Sequence, residues 1–353
     1  MTTEQRDHGL PAKPSQFEKN SDLDTLLVRI NDYLRQAEQS QPEPPAPEYP
    51  LILLVGAPRS GTTLFMQWLC STRHVAVPTN LISRFFSAPA FGVMLQRLLS
   101  DRRYRYRDEF DDLPTEPLQA FGSDLGKTKG LLGHNSFFYF WRQFFPLAEP
   151  APIPDNDLHR VDGKGLVRAI GRFANEVEAP LAMKGYLVQY HLGLLEKLLD
   201  RVLFVHIIRD PLDTMRSLLE VRKSLYGDEG KWWGCRPPGC DIFMGQAPAI
   251  QVAGQIALTQ RSIRSELARM PDAKHIEISY ELLCDSPAQV WSELRNKIGA
   301  QTVNGEKAKA MMAAEYHGPQ NFRRSRQTPK SNDLLFSEWT IANEICRDQE
   351  VNH

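Results

Sequence analysis

Eight residues, Gly56-Ala57-Pro58-Arg59-Ser60-Gly61-Thr62-Thr63, have the frame of a loop that wraps a phosphate. In the nucleotide-hydrolase pattern G-x-x-x-x-G-K-[ST], backbone N–H groups cradle the phosphates and the lysine reaches the terminal ones. Here Thr62 stands in the lysine's place. Arg59 brings a charged fork and Ser60, Thr62 and Thr63 bring hydroxyls, so the loop suits a phosphate but not the γ-phosphate of ATP. A second anion site is expected further along the chain. Arg209 precedes Asp210-Pro211, and Ser217 follows about two helical turns later. An arginine fork and a hydroxyl so arranged can grip a separate phosphate.

Both sets of residues need elements that aim them. Leu51 to Val55 is a short apolar run of the length of a buried strand, and Leu64 to Leu69 continues as an apolar helix. The loop therefore joins a strand tip to a helix start, where N–H groups and the helix dipole converge on an anion. Arg201 to Ile208 repeats the strand pattern, and Asp210-Pro211 is a good helix entry. A further strand is expected over Lys274 to Ile278. Helices are expected over residues 166–173, 193–199 and 250–270, and a mostly helical stretch from Leu81 to Arg97. Alternating strands and helices, with phosphate loops at strand ends, predict an α/β fold: three layers, α/β/α, around a mainly parallel central sheet.

Taken together, the two segments resemble the sulfotransferase family that uses 3′-phosphoadenosine 5′-phosphosulfate (PAPS). Pro58 to Thr63 is similar to the family's 5′-phosphosulfate loop in its arginine form, seen in carbohydrate-type and bacterial members, and Arg209 and Ser217 match the pair that binds the 3′-phosphate. Ala182-Met183-Lys184-Gly185 resembles the stretch where many members carry Lys-Thr-Pro. Ile278-Ser279-Tyr280-Glu281-Leu282-Leu283 resembles the tyrosine–acidic–leucine segment. The likeness spans roughly residues 50 to 300. It implies a P-loop-NTPase-like sulfotransferase fold and transfer of a sulfuryl group from PAPS to a hydroxyl or amine, with adenosine 3′,5′-bisphosphate (PAP) leaving and no metal required. The implied donor-binding residues are Arg59, Ser60, Gly61, Thr62, Thr63, Arg209, Ser217 and Tyr280. Arg323 or Arg324 joins them if the basic segment 321–330 closes over the 3′-phosphate as in some members.

The implied catalytic groups are Arg59 and Lys184, which suit the leaving phosphate, and a base for the acceptor proton. Several relatives use a glutamate shortly after the loop helix, where this chain has Pro78-Thr79-Asn80. His134 is the expected substitute, because histidine titrates near working pH and Gly133 to Phe137 resembles a histidine-containing stretch of some bacterial members. His191 is the alternative. The acceptor class stays open among a small molecule, a carbohydrate and a glycolipid. Two rival readings remain, a P-loop kinase or NTPase and a catalytically inactive nucleotide-binding homologue.

Forty-two basic and 43 acidic residues leave a net charge of −1, so no global field favours nucleic acid or an anionic membrane. Five cysteines do not form a secreted disulfide framework, and Cys235 and Cys240 are expected as reduced loop thiols. Without an apolar leader or a membrane-length run the chain is expected to be cytoplasmic. Residues 1–40 are expected as a helical arm, amphipathic over Asp22 to Leu34, that packs on the core or on a second subunit in a homodimer. Proline-rich residues 41–50 are expected as an extended linker and residues 51–353 as the sulfotransferase domain. Residues 101–133 are expected as an irregular substrate lid. The aromatic run Phe137 to Phe145 is expected in the core, or as a wall for a carbohydrate or lipid acceptor.

Overall fold

Every residue of Leu51–Val55 (β1) is buried, as in a strand covered on both faces of a parallel sheet. The computed structural model describes residues 20–104, 106, 107, 109–115, 121–323 and 332–351. The first 19 residues of the expected arm and Arg324 lie outside them. Strand β1 pairs in parallel with Ala182–Lys184 (β2) on one side and with Val202–Ile208 (β3) on the other, and β3 pairs in parallel with His275–Ser279 (β4). The order is β2-β1-β3-β4, so all four C-terminal strand tips open on one edge.

Twelve α-helices are described: Ser21–Gln39 (α1), Thr62–Ser71 (α2), Pro89–Ser100 (α3), Phe138–Trp141 (α4), Gly163–Val177 (α5), Leu192–Leu198 (α6), Pro211–Tyr226 (α7), Pro248–Leu267 (α8), Tyr280–Asp285 (α9), Pro287–Gln301 (α10), Gly305–Ala313 (α11) and Asn332–Val351 (α12). The strand period of two sorts the core. Leu51, Leu53 and Val55 join the cluster with α5 and α6, while Ile52 and Leu54 join the one with α2 and α10. A third cluster unites α7, α8 and α12. No helix of the described residues is long and apolar enough to cross a membrane.

Several expectations change in detail. The stretch from Leu81 to Arg97 is not one helix but a 3-10 turn, Ile82–Phe85, followed by α3, because Pro89 starts a new helix at its first position. Helix α1 lies on its own chain. Buried Asn31 donates to the Arg84 carbonyl and accepts from the Ser87 amide. The proline-rich segment is extended but fastened, since Arg172 donates to the carbonyls of Glu38, Gln41 and Pro42, and Asn175 to that of Pro45. In the aromatic run Phe137, Phe140, Trp141 and Phe145 are core, and Tyr139 is exposed. Cys235 and Cys240 are buried free thiols.

Candidate active site

Strand β1 releases the chain at Gly56, and Arg59 and Gly61 both take left-handed backbone angles, φ 69° and 99°, before α2 begins. Gly61 caps α2 without a side-chain hydrogen bond, so no side chain covers the first amides of the helix, an arrangement that receives an anion. A side chain at Gly61 would also strike the Tyr280 ring, whose Cδ2 lies 2.4 Å from the position of an added Cβ. The Ser60 hydroxyl is buried and has no hydrogen-bond partner among the described residues.

The adjoining strand tips supply the rest. Because Leu54 and Lys184 are register partners, Lys184 ends β2 beside the loop, and its ammonium donates to Thr63 Oγ1 at 2.9 Å. Trp141 Nε1 fixes the Lys184 carbonyl at 3.0 Å. Burial, then the Arg59 charge, pulls the Lys184 pKa down to about 7. Strand β3 delivers Arg209, and Asp210 caps α7 through the Asp213 amide, with Pro211 at its first position. Arg209 Nη1 donates to the Arg59 carbonyl at 3.3 Å, and Arg59 Nε donates to Ser217 Oγ at 3.0 Å. Tyr280, just past β4, lies under the Arg209 guanidinium at 4.6 Å, and burial pushes its hydroxyl up to about 12. Burial and the nearby Arg209 charge lower the Arg59 pKa. The Glu220 carboxylate is near enough to Arg59 to oppose that fall, and Arg209 Nε has no hydrogen-bond partner among the described residues. Three basic side chains and an orphaned hydroxyl thus converge here, groups that are chemically able to receive a polyanion.

His134 closes the other side. The segments 78–80 and 133–135 pair through Asn80 N to Gly133 O and Asn135 N to Pro78 O, both 2.7 Å, which sets His134 opposite Thr79. The position that lacks an acid is thus faced by the imidazole. Both ring nitrogens are buried without a hydrogen-bond partner among the described residues. Burial and the Lys184 charge push the His134 pKa down to about 2, so the expectation that it titrates near working pH does not hold for the free protein. His191 is committed elsewhere: its Nε2 accepts from the Ile153 amide at 3.0 Å, and it stacks on Phe145. Arg323 is exposed at the end of a described segment. Among the described residues no group of three His, Cys, Asp or Glu could hold a metal.

Sequence reasoning missed buried Gln189, whose Oε1 accepts from the Gly56 amide at 3.3 Å, and Trp141. The aromatic run drew attention to Trp141 as core, but Gln189 carries no pattern of its own.

Three solved structures align with most of the chain. STF9 from Mycobacterium avium, a sulfotransferase, is 15% identical over 90% of this chain and 83% of its own, with a TM-score of 0.46. STF1 from Mycobacterium tuberculosis H37Rv, also a sulfotransferase, is 12% identical over 89% and 81%, with a TM-score of 0.47. A sulfotransferase from Alicyclobacillus acidocaldarius is 12% identical over 83% and 92%, with a TM-score of 0.41. No curated protein matches the chain. The sequence profile described as "Sulfotransferase family" matches residues 50–303, from the residue before β1 to the residue that follows α10 by two, and the chain belongs to that family.

Proposed function

We propose that the protein transfers a sulfuryl group from PAPS to a hydroxyl, or an amine, of a small-molecule, carbohydrate or glycolipid acceptor. The observation that supports this reading is the direct link between the residues expected at the two phosphates. Arg59 in the loop donates to Ser217, and Arg209 donates back to the Arg59 carbonyl. A donor with phosphates at both its 5′ and 3′ ends makes use of both sites, whereas AMP leaves one unsatisfied. In this reading Ser60, Thr62, Thr63 and the α2 amides hold the 5′-phosphosulfate, Arg209 and Ser217 hold the 3′-phosphate, and Tyr280 supports Arg209. Arg323 would join the 3′-phosphate only if its segment closes over it.

During transfer the acceptor oxygen bonds to sulfur, the bond from sulfur to the bridging phosphate oxygen breaks, and its electron pair stays on the phosphate of PAP. Arg59, the protonated form of Lys184 and the helix-start amides neutralise that charge as it grows. His134 enters as a neutral imidazole, able to accept the acceptor's proton. The negative sulfuryl group beside it favours the protonated form and offsets part of the depression by Lys184.

The test is calorimetry with PAP against AMP. PAP is expected to bind far more tightly, and Arg209→Ala is expected to weaken PAP about tenfold or more while barely changing AMP, as loss of a charge-assisted bond implies. Equal affinity for both nucleotides sinks the reading. Tight PAP binding with no label transfer from PAPS to any acceptor class would leave an inactive nucleotide-binding homologue.

A further inference from the structure

A cleft of about 1280 Å³ opens beside His134, between α2, the segment 121–134 and residues 317–319. Arg59, Arg209 and Ser217 are not among its lining residues, so it is distinct from that cluster. Its volume exceeds the usual range for a drug-sized ligand, about 300–1,000 Å³. Its wall is apolar in a specific way. Phe121, Leu132, Pro319 and the Cys70 side chain contribute carbon and sulfur surface, and Phe121 is held by an edge contact with Phe322 at 4.9 Å.

The polar side chains of the wall are largely spent within the protein. Gln67 donates to the Gly122 carbonyl at 2.9 Å, Ser71 to that of Trp68 at 2.7 Å, and Thr128 to that of His134 at 2.6 Å. The other polar lining groups, Arg73, Ser123, Asp124, Lys129 and His317, are exposed to solvent. A sugar entering this cleft would bury several hydroxyls against surfaces with few donors left to meet them, and each unpaired hydroxyl costs binding. An alcohol with one hydroxyl on an extended apolar body meets no such penalty. Its body covers Phe121 and Leu132, and its hydroxyl sits at the His134 end of the cleft.

We infer that the acceptor is an apolar-bodied alcohol bound in the His134 cleft, its carbon body against Cys70, Phe121 and Leu132. This rests on the reading of the chain as a PAPS-dependent transferase. The reaction balances without a further reagent: the alcohol oxygen bonds to sulfur, PAP departs with the electron pair, and the hydroxyl proton leaves through His134.

Cys70 gives a readout apart from turnover. It is half-buried in the cleft, whereas the other four cysteines are buried. The full chain, saturated with PAP, is treated with iodoacetamide at about pH 8.5, because burial raises the Cys70 pKa and slows its alkylation. Alkylation of the Cys70 peptide is followed by mass spectrometry against 4-phenylbutan-1-ol or glucose. At about 10 mM alcohol, ten times a weak Kd of about 1 mM, protection is expected to reach about tenfold and to saturate. Glucose is expected to leave the rate unchanged, and labelled PAPS should transfer its label to the alcohol and not to glucose. Protection by glucose equal to that by the alcohol, or none by the alcohol, overturns the inference. The two readings fail separately: loss of PAP binding removes the transferase reading, whereas firm PAP binding without alcohol protection removes only this one.

Discussion

Lys184 is the residue whose chemistry the surroundings alter in the most useful direction. Its ordinary pKa of 10.5 falls to about 7 through burial and the Arg59 charge. Between these values the unfolded chain binds a proton that the folded chain has released. Stability therefore rises with pH across that window and is lowest below about pH 7, where both states are protonated. A bound bisphosphate reverses the local field and restores the ammonium. PAP binding at about pH 8 should thus take up close to one proton, about 0.9 if the bound-state pKa returns above 10. Calorimetry in two buffers of different ionisation enthalpy measures that uptake, and Lys184→Met should abolish it. Binding without proton uptake in the native chain would mean that Lys184 does not face the anion. Most of the residues proposed to bind the anion could be picked out from the sequence because hydroxyls and arginines at a strand tip have few other employments. The depressed pKa of His134 was not, because it depends first on burial and then on Lys184, fifty positions away in the chain, and both are set only by the fold.

Among the elements, the segment between α7 and α8 is held by a buried polar network. Arg222 is fully buried, and donates to Gln251 Oε1 at 2.9 Å, Gln255 Oε1 at 3.2 Å and the Glu229 carbonyl at 3.2 Å, with Trp232 stacked at 5.2 Å. Gln255 passes the restraint on to the carbonyls of Trp233 and Cys235. Between them Gly234, at φ 92°, comes so close to Pro58 that an added Cβ would lie 3.5 Å from its ring and 2.9 Å from the Tyr186 hydroxyl. The network thus holds a segment that lies next to Pro58 and Tyr186. Arg222→Met strands two amide oxygens and should cost about 1–3 kcal/mol in denaturant melts. Hydrogen exchange should rise first at residues 228–246. A uniform rise across β1 to β4 would reduce the network to ordinary core. Sequence patterns located the strand–loop–helix units because apolar runs and Asp-Pro entries are local signals. They missed α10 to α12 and this network, since a buried arginine among glutamines has no periodicity that distinguishes it from a solvent-facing one.

At the scale of the whole molecule, a chain with one net negative charge gathers Arg59, Lys184 and Arg209 at a single edge of the sheet, and does so by parallel pairing over long chain separations. Of the two expected places for the arm, the core of its own chain or a second subunit, Arg172 of α5 ties it and the proline-rich segment to the first. Those ties are backbone carbonyls contacted across the fold and leave no mark in the sequence. Parallel pairing also sets an order of events during synthesis. Ile52 waits for Ala182, its register partner 130 residues later, and Tyr280 follows only after β4. At about 5–20 residues per second β1 stays unpaired for about 6–26 s on the ribosome, a long-lived apolar edge. Nascent chains stalled after residue 175 should be cleaved readily near Leu51 by a pulse of protease, and those that have emerged past residue 215 should resist. Equal cleavage at both lengths would place β1 under the protection of α2 alone. The cluster of Arg59, Lys184, Arg209 and Tyr280 is thus among the last features to exist in a newborn chain, and the donor nucleotide proposed above could assist only the final stage of its maturation.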